Sequence, residues 1–212
     1  MSSPLAQSLR LVAIAGPSGS GKSHLARQMV QALDDSATLV SQDDFYRDLA
    51  HLPIEARAQQ NFDVPTAIDW ATLLTSLGRL RGSRAASIPR YDHATHTREP
   101  GYRILDSKPI VIVEGLWLFH TRALRQLFDL TLYLDCPRSI RLQRRTQRDI
   151  ASRDRSPESI ETQFFAQVVP SEEKWVLPQK EFAGKCLLSP VEPNAIDQIV
   201  RDLATPMPNR TH

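Results

Sequence analysis

Residues Gly16 to Ser23 read GPSGSGKS and satisfy the pattern GxxxxGK[ST]. Glycine lets a backbone wrap closely around phosphates, and successive N–H groups running into a helix N-terminus supply donors and positive potential. Gly16, Ser18, Gly19, Ser20 and Gly21 would form that cradle, Lys22 would reach the outer phosphates, and the Ser23 hydroxyl would hold Mg²⁺. An apolar run, LRLVAIA from Leu9, precedes the segment, and a helical pattern from Gly21 to Leu33 follows it, which is the context the motif needs. A Gly/Ser-rich turn that binds nothing is the alternative, but such a turn has no need of a lysine and a hydroxyl in that order. The ligand predicted is a nucleoside triphosphate. Neither [NT]KxD nor DxxG occurs in the chain, so an ATP-using phosphotransferase is favoured over a GTPase switch.

Other chemistry-bearing residues close apolar runs. Asp43 and Asp44 follow ATLV in the stretch TLVSQDDFY, Glu114 ends IVIVEG, and Asp135 ends YLD. In open α/β sheets ligands sit beyond the carboxyl ends of strands, so these acids would face the phosphate loop. Glu114 and Asp43 are the candidates for holding Mg²⁺ and for taking the proton of an attacking hydroxyl. Asp44 and Asp135 read instead as cap and turn residues. Seven arginines lie between Arg138 and Arg155 against two aspartates, and Arg141, Arg145 and Arg148 share one helical face. Such guanidinium density suits polyphosphate and predicts a lid over 138–163. A solvated basic face and an RNA patch compete with that reading; the span has no interleaved aromatics, which argues against nucleic acid. The segment RYDHATHTR, Arg90 to Arg98, gathers Tyr91, Asp92, His93 and His96 and leaves three options open: a metal site, an ordinary loop, or a polar clamp on a small molecule.

The elements that must position these groups follow from the pattern of the chain. LRLVAIA, ATLV from Ala37, PIVIVEG from Pro109, LTLYLD from Leu130 and KCLLSP from Lys185 are apolar on consecutive positions, as strands buried on both faces are. Helices are predicted over Gly21–Leu33, Thr66–Leu77, Arg138–Ser152, Pro157–Val169 and Asn194–Leu203. The prediction is an α/β fold with a doubly wound, mostly parallel sheet in one domain over 1–212, with a hairpin or loop projecting from 83–106. A net charge of +2 over 212 residues demands neither nucleic acid nor an anionic membrane as partner. Cys136 and Cys186 suggest no disulfide framework or zinc site, and no apolar stretch is long enough to span a bilayer, so a cytoplasmic protein is expected.

Taken in order, GPSGSGKS, SQDDFYRD, NFDVPTAIDW, IPRYDHATHTR, VIVEGLWLF, RLQRRTQRDIASRDRS and VVPSEEKWVLPQKEFAGKCLLSP resemble the uridine kinases of the P-loop kinase superfamily over nearly the whole chain. The resemblance implies transfer of the γ-phosphoryl group of ATP, with Mg²⁺, to the 5′-hydroxyl of uridine or cytidine. It implies that Asp43 acts as base, with Ser23 and Glu114 in the Mg²⁺ shell, and that Asp63 binds the ribose hydroxyls. Arg145 and Arg148 would be the phosphate-side and sugar-side lid arginines, Arg153 and Arg155 the lid loop, and Gln163 a sugar contact. Tyr91 and His96 would meet the base edge, with His93 shaping the base pocket; a neutral imidazole, able to donate and accept, suits both uracil and cytosine. A homotetramer is also implied. The sequence departs from the family pattern at His93, usually aromatic, at Val64, commonly histidine, and at Asp154, commonly glycine. A related kinase with another riboside or a phosphosugar as acceptor, and an ATP-binding regulator without transferase activity, are the rival expectations.

Overall fold

The five apolar runs form one parallel sheet. The computed structural model describes residues 9–153 and 156–205. Along the chain come β1 (Arg10–Ala15), α1 (Lys22–Leu33), β2 (Ala37–Ser41), α2 (Ile54–Ala58), α3 (Trp70–Arg81), β3 (Ala86–Ile88), β4 (Tyr91–Asp92), β5 (Thr97–Arg98) and β6 (Arg103–Leu105). There follow β7 (Ile110–Gly115), α4 (Arg122–Arg125), β8 (Leu130–Asp135), α5 (Arg138–Arg153), α6 (Pro157–Gln163), α7 (Val169–Trp175), β9 (Lys185–Leu188) and α8 (Pro193–Ala204). The sheet order is β2-β7-β1-β8-β9, and every pairing is parallel.

Side chains alternate across a strand, and here both faces are covered. Leu11, Ala13 and Ala15 pack with Leu73, Leu77 and Leu80 of α3 and with Trp117 and Phe119. Val12 and Ile14 pack on the other side against Leu25, Ala26 and Met29 of α1 and Ile196, Ile199 and Leu203 of α8. All five residues from Leu11 to Ala15 have no exposed surface. The doubly wound α/β class is therefore confirmed. The chain passes from β1 to β2 on one side of β1 and from β7 to β8 on the other, so a crevice opens beyond the carboxyl end of β1, where such sheets bind ligands. Among the described residues no helix is long and apolar enough to cross a membrane.

Two helices depart from the sequence-based expectation by more than one residue. Instead of running over Thr66–Leu77, α3 starts at Trp70, because the Asp69 carboxylate accepts from Thr72 N at 3.1 Å while Pro65–Ala67 forms its own 3-10 turn. The helix expected over Pro157–Val169 passes through a π turn, Phe164–Val168, and continues to Trp175. Pro170 has no N–H to give to the preceding turn, and the wider π spacing absorbs that missing donor.

Gly115 ends β7 where the sheet meets the turn that follows β2. A Cβ at this position would stand 2.4 Å from the Gln42 Cβ. Gln42 is fully buried, and its Oε1 accepts from Trp117 N at 3.0 Å. Gly115→Ala is expected to destabilise the protein by about 1–3 kcal/mol through overpacking. Thermal unfolding measures this; an unchanged midpoint would show that Gln42 yields without cost.

Candidate active site

The loop from Gly16 to Gly21 is shaped by contacts that leave no room for a side chain at Gly16 or Gly19. Gly16, Gly19 and Gly21 have φ of 147°, 76° and 96°. A Cβ on Gly16 would lie 2.4 Å from Leu134 O, and one on Gly19 would lie 2.8 Å from Arg141 O. Glycine is the residue that meets both conditions. Gly21 is the N-cap of α1, and neither a capping side chain nor an acidic first-turn residue answers the amides there. An uncapped helix start following a glycine-rich loop offers free N–H donors of the kind that bind anions.

Lys22 is buried beside this loop, with Nζ donating to Pro17 O at 2.9 Å. Burial lowers its pKa, and Glu114 and Asp43 act against that shift, so both carboxylates are within electrostatic reach of the ammonium. Glu114 lies at the end of β7 in register with Ser41 of β2 and Ile14 of β1. The Ser41 hydroxyl donates to Glu114 Oε1 at 2.7 Å and accepts from the Asp43 amide at 3.3 Å. A single side chain thus joins the Glu114 carboxylate to the backbone of Asp43. Burial and then the neighbouring charge of Asp43 push the Glu114 carboxyl above its usual range, while Lys22, Ser41 and the Ser23 hydroxyl pull it down. Ser23, Glu114 and Asp43 are hard oxygen donors gathered at the phosphate loop, a set that fits Mg²⁺.

Asp44, expected to cap a helix, instead pairs with Arg103 of β6 at 3.4 Å. Asp135 accepts from Cys136 N at 2.9 Å and pairs with Lys180 at 2.7 Å.

The arginines of α5 divide into two sets. Arg141 is buried, donating to Cys136 O at 3.0 Å and Ser18 O at 3.4 Å, and it pairs with Glu172 Oε2 at 2.6 Å. Arg144 donates to Gly19 O at 3.4 Å, Ser20 O at 3.2 Å and Ser189 Oγ at 2.9 Å. These two hold the outside of the phosphate loop. Arg145 turns toward the site, with Nη1 on Ser18 Oγ at 3.4 Å and Nη2 on Gln163 Oε1 at 3.2 Å. Arg148 is half-exposed, bound to Asp149 Oδ1 at 2.8 Å, and its charge is felt at Lys22. Of the remaining lid positions, Arg155 and Asp154 lie outside the described residues, as does the side chain of Arg153.

Across from the loop, Asp63 lines a cleft together with Ser18, Leu116, Trp117, Ser171 and Glu172. The hairpin of β4 and β5 reaches the neighbour of Asp63, Phe62, through His96. It is fastened by Arg98, which donates to Tyr46 O at 3.1 Å and pairs with Asp69 at 3.1 Å, and by Arg57, which donates to Thr95 O at 3.1 Å. Its aromatic residues cluster: Tyr46 and Tyr91 have ring centroids 5.3 Å apart, His93 stands edge-on to both, and His96 stacks on Phe62 at 4.4 Å. Tyr91 is buried, which pushes its phenol up to about 12, and its hydroxyl has no hydrogen-bond partner among the described residues. Asp92 spends its carboxylate on Ala94 N at 2.8 Å and Thr95 Oγ1 at 2.7 Å. Among the described residues no three of His, Cys, Asp and Glu group as metal ligands.

Residues 11–188 match the family described as phosphoribulokinase/uridine kinase. The chain belongs to this family. A uridine kinase of Chloroflexus aggregans is 37% identical over 194 residues, covering 90% of this chain and 92% of the relative. A uridine kinase of Brevibacillus brevis is 37% identical over 174 residues, covering 82% of this chain and 81% of the relative. Among solved structures, the phosphoribulokinase of Rhodobacter spheroides superposes with a TM-score of 0.62 at 18% identity, covering 88% of this chain and 73% of that one, a likeness of fold.

Within the phosphoribulokinase/uridine kinase family frame, the structure adds residues that sequence reasoning missed. Ser41 joins Asp43 to Glu114, and Tyr46 and Phe62 provide the aromatic surface on which the hairpin histidines rest. The signal was within reach: Tyr46 and Phe62 lie in the blocks SQDDFY and NFD, each a few positions or fewer from an acid already singled out. His93, where the family pattern is usually aromatic, keeps ring contacts to Tyr46 and Tyr91 at 6.0 Å and 5.2 Å.

Proposed function

We propose that this chain is a uridine kinase, transferring the γ-phosphoryl group of ATP to the 5′-hydroxyl of uridine and of cytidine to give UMP and CMP. The observation that carries the reading is the gathering of Glu114 and Asp43 within electrostatic reach of the phosphate-loop lysine Lys22, with Asp63 and Ser18 of the loop lining one cleft. Two relatives above 35% identity that bear the name uridine kinase support the acceptor.

In this reading Asp43 accepts or orients the proton of the 5′-hydroxyl, and Lys22 carries the charge that develops on the transferring group. Ser23 and Glu114, with Asp43 nearby, would hold Mg²⁺, which when bound would neutralise phosphate charge. Arg145 and Arg148 of α5 serve as the phosphate-side and sugar-side arginines, and Arg153 and Arg155 take the lid-loop roles that the family resemblance implies. Gln163 sits against Arg145, which suits a sugar contact. Asp63 receives the ribose hydroxyls. Tyr91 and His96 meet the pyrimidine edge: the buried Tyr91 hydroxyl gains a partner there, and the neutral His96 imidazole donates to a carbonyl or accepts from an amine.

Replacing uridine by 5′-deoxyuridine tests the position of transfer. No acceptor-dependent ADP is expected from the analogue, whereas mass spectrometry should find UMP from uridine; ADP formation with the analogue would exclude the 5′-hydroxyl. Asp63→Asn is expected to raise KM for uridine by roughly ten- to hundredfold, the worth of a hydrogen bond to a charged group, with KM for ATP little changed. An unchanged KM for uridine would remove Asp63 from the ribose site.

A further inference from the structure

We propose that Glu172 is a positioning residue for donor-phosphate binding, acting through Arg141 on the Ser18–Gly19 peptide of the phosphate loop. This rests on the phosphotransferase reading of the loop. Glu172 belongs to α7, outside both the phosphate loop and the arginine helix, and is 3% exposed, as is Arg141. Its Oε2 receives Arg141 Nη1 at 2.6 Å, and that same nitrogen reaches Ser18 O at 3.4 Å. The backbone of Arg141 stands against the loop at the next residue, where a Cβ on Gly19 would be 2.8 Å from Arg141 O.

The carbonyl and the N–H of a trans peptide point to opposite sides. An arginine that draws the Ser18 carbonyl outward therefore turns the Gly19 N–H inward, toward the phosphates. Arg144 does the same to the Ser20 carbonyl, which aims the Gly21 N–H, and it is fixed in turn by Ser189 Oγ. Among the described residues Glu172 is the one carboxylate that forms an ion pair with Arg141, and without it a guanidinium beside a triphosphate would be drawn to phosphate oxygens instead of to a loop carbonyl. Fastening α5 to α7 is a weak reason for such a pair, since two apolar side chains would do this without desolvating charges. Glu172 Oε1, moreover, has no hydrogen-bond partner among the described residues, so the carboxylate is not arranged to maximise its own bonding.

The test is calorimetric binding of Mg·ATP without any acceptor, alongside steady-state kinetics with uridine. In the double variant Arg141→Met/Glu172→Leu, the apolar pair preserves packing between the helices. Its Kd for Mg·ATP is expected to rise about tenfold, the loss of one charge-assisted hydrogen bond. A folded double variant with Kd within about twofold of wild type would show the pair to be merely structural. Glu172→Asp keeps the charge and withdraws it by one methylene; a rise of severalfold in Kd is expected, an unchanged Kd would overturn the proposal, and this variant decides the matter should the double variant not fold. If both variants weaken ATP binding while wild type ignores uridine, the acceptor assignment falls and the positioning role stands. If wild type phosphorylates uridine and both variants bind ATP normally, the positioning role alone falls.

Discussion

Asp43→Asn is expected to lower kcat by about a hundredfold or more, with KM for ATP and uridine within a few-fold of wild type. The substitution isolates the carboxylate. What holds the 42–45 turn at this point is the backbone amide of residue 43, which donates to Ser41 Oγ, and an asparagine leaves that bond intact. Asparagine also keeps the volume of the side chain while removing the capacity to take a proton and the negative charge felt at Lys22 and Glu114. Steady-state kinetics with saturating uridine reads the effect, and a loss of much less than tenfold would exclude Asp43 as base or orienting acid.

Lys22→Met is expected to reduce kcat/KM for ATP by roughly 10²- to 10³-fold, the scale seen when a preorganised charge-stabilising donor is removed. Stability should move the other way or stay level. Lys22 is buried, and burial lowers its pKa, so the charged ammonium is held in the folded state at a cost in solvation. A methionine of similar length fills the space without that cost and gives up the bond to Pro17 O and the attraction of Glu114 and Asp43. Kinetics paired with thermal unfolding therefore separate function from folding: a large activity loss with an unchanged or higher midpoint supports a lysine kept for phosphate, whereas a collapse of both would make Lys22 a structural residue.

The sheet was legible because its strands are buried on both faces, and a continuous apolar run such as LVAIA has few other places to go. The phosphate loop was legible because its chemistry is written in consecutive residues. What did not show was anything that depends on contacts between distant segments. Glu172 lies 31 positions from Arg141, and no local pattern marks it as the partner that takes one of the α5 arginines away from the polyphosphate face predicted for it. Arg141, Arg145 and Arg148 do share a helical face, yet burial against the loop commits the first to a carbonyl and leaves the others nearer the site. Asp44 shows the same limit, since its partner Arg103 arrives from a strand 59 residues away. Helix ends shifted where a side-chain cap at Asp69 or a proline at position 170 overrode the hydrophobic period.

The candidate groups come from the loop after β1, the ends of β2 and β7, α5 and the hairpin, and the central claim is that they serve transfer of phosphate to a pyrimidine nucleoside. The most direct test is ADP release by the purified protein with Mg·ATP, compared across uridine, cytidine, a purine nucleoside and no acceptor. Strong stimulation by uridine and cytidine, with the purine nucleoside at the level of no acceptor, is the predicted result. A flat response across all four would contradict the account.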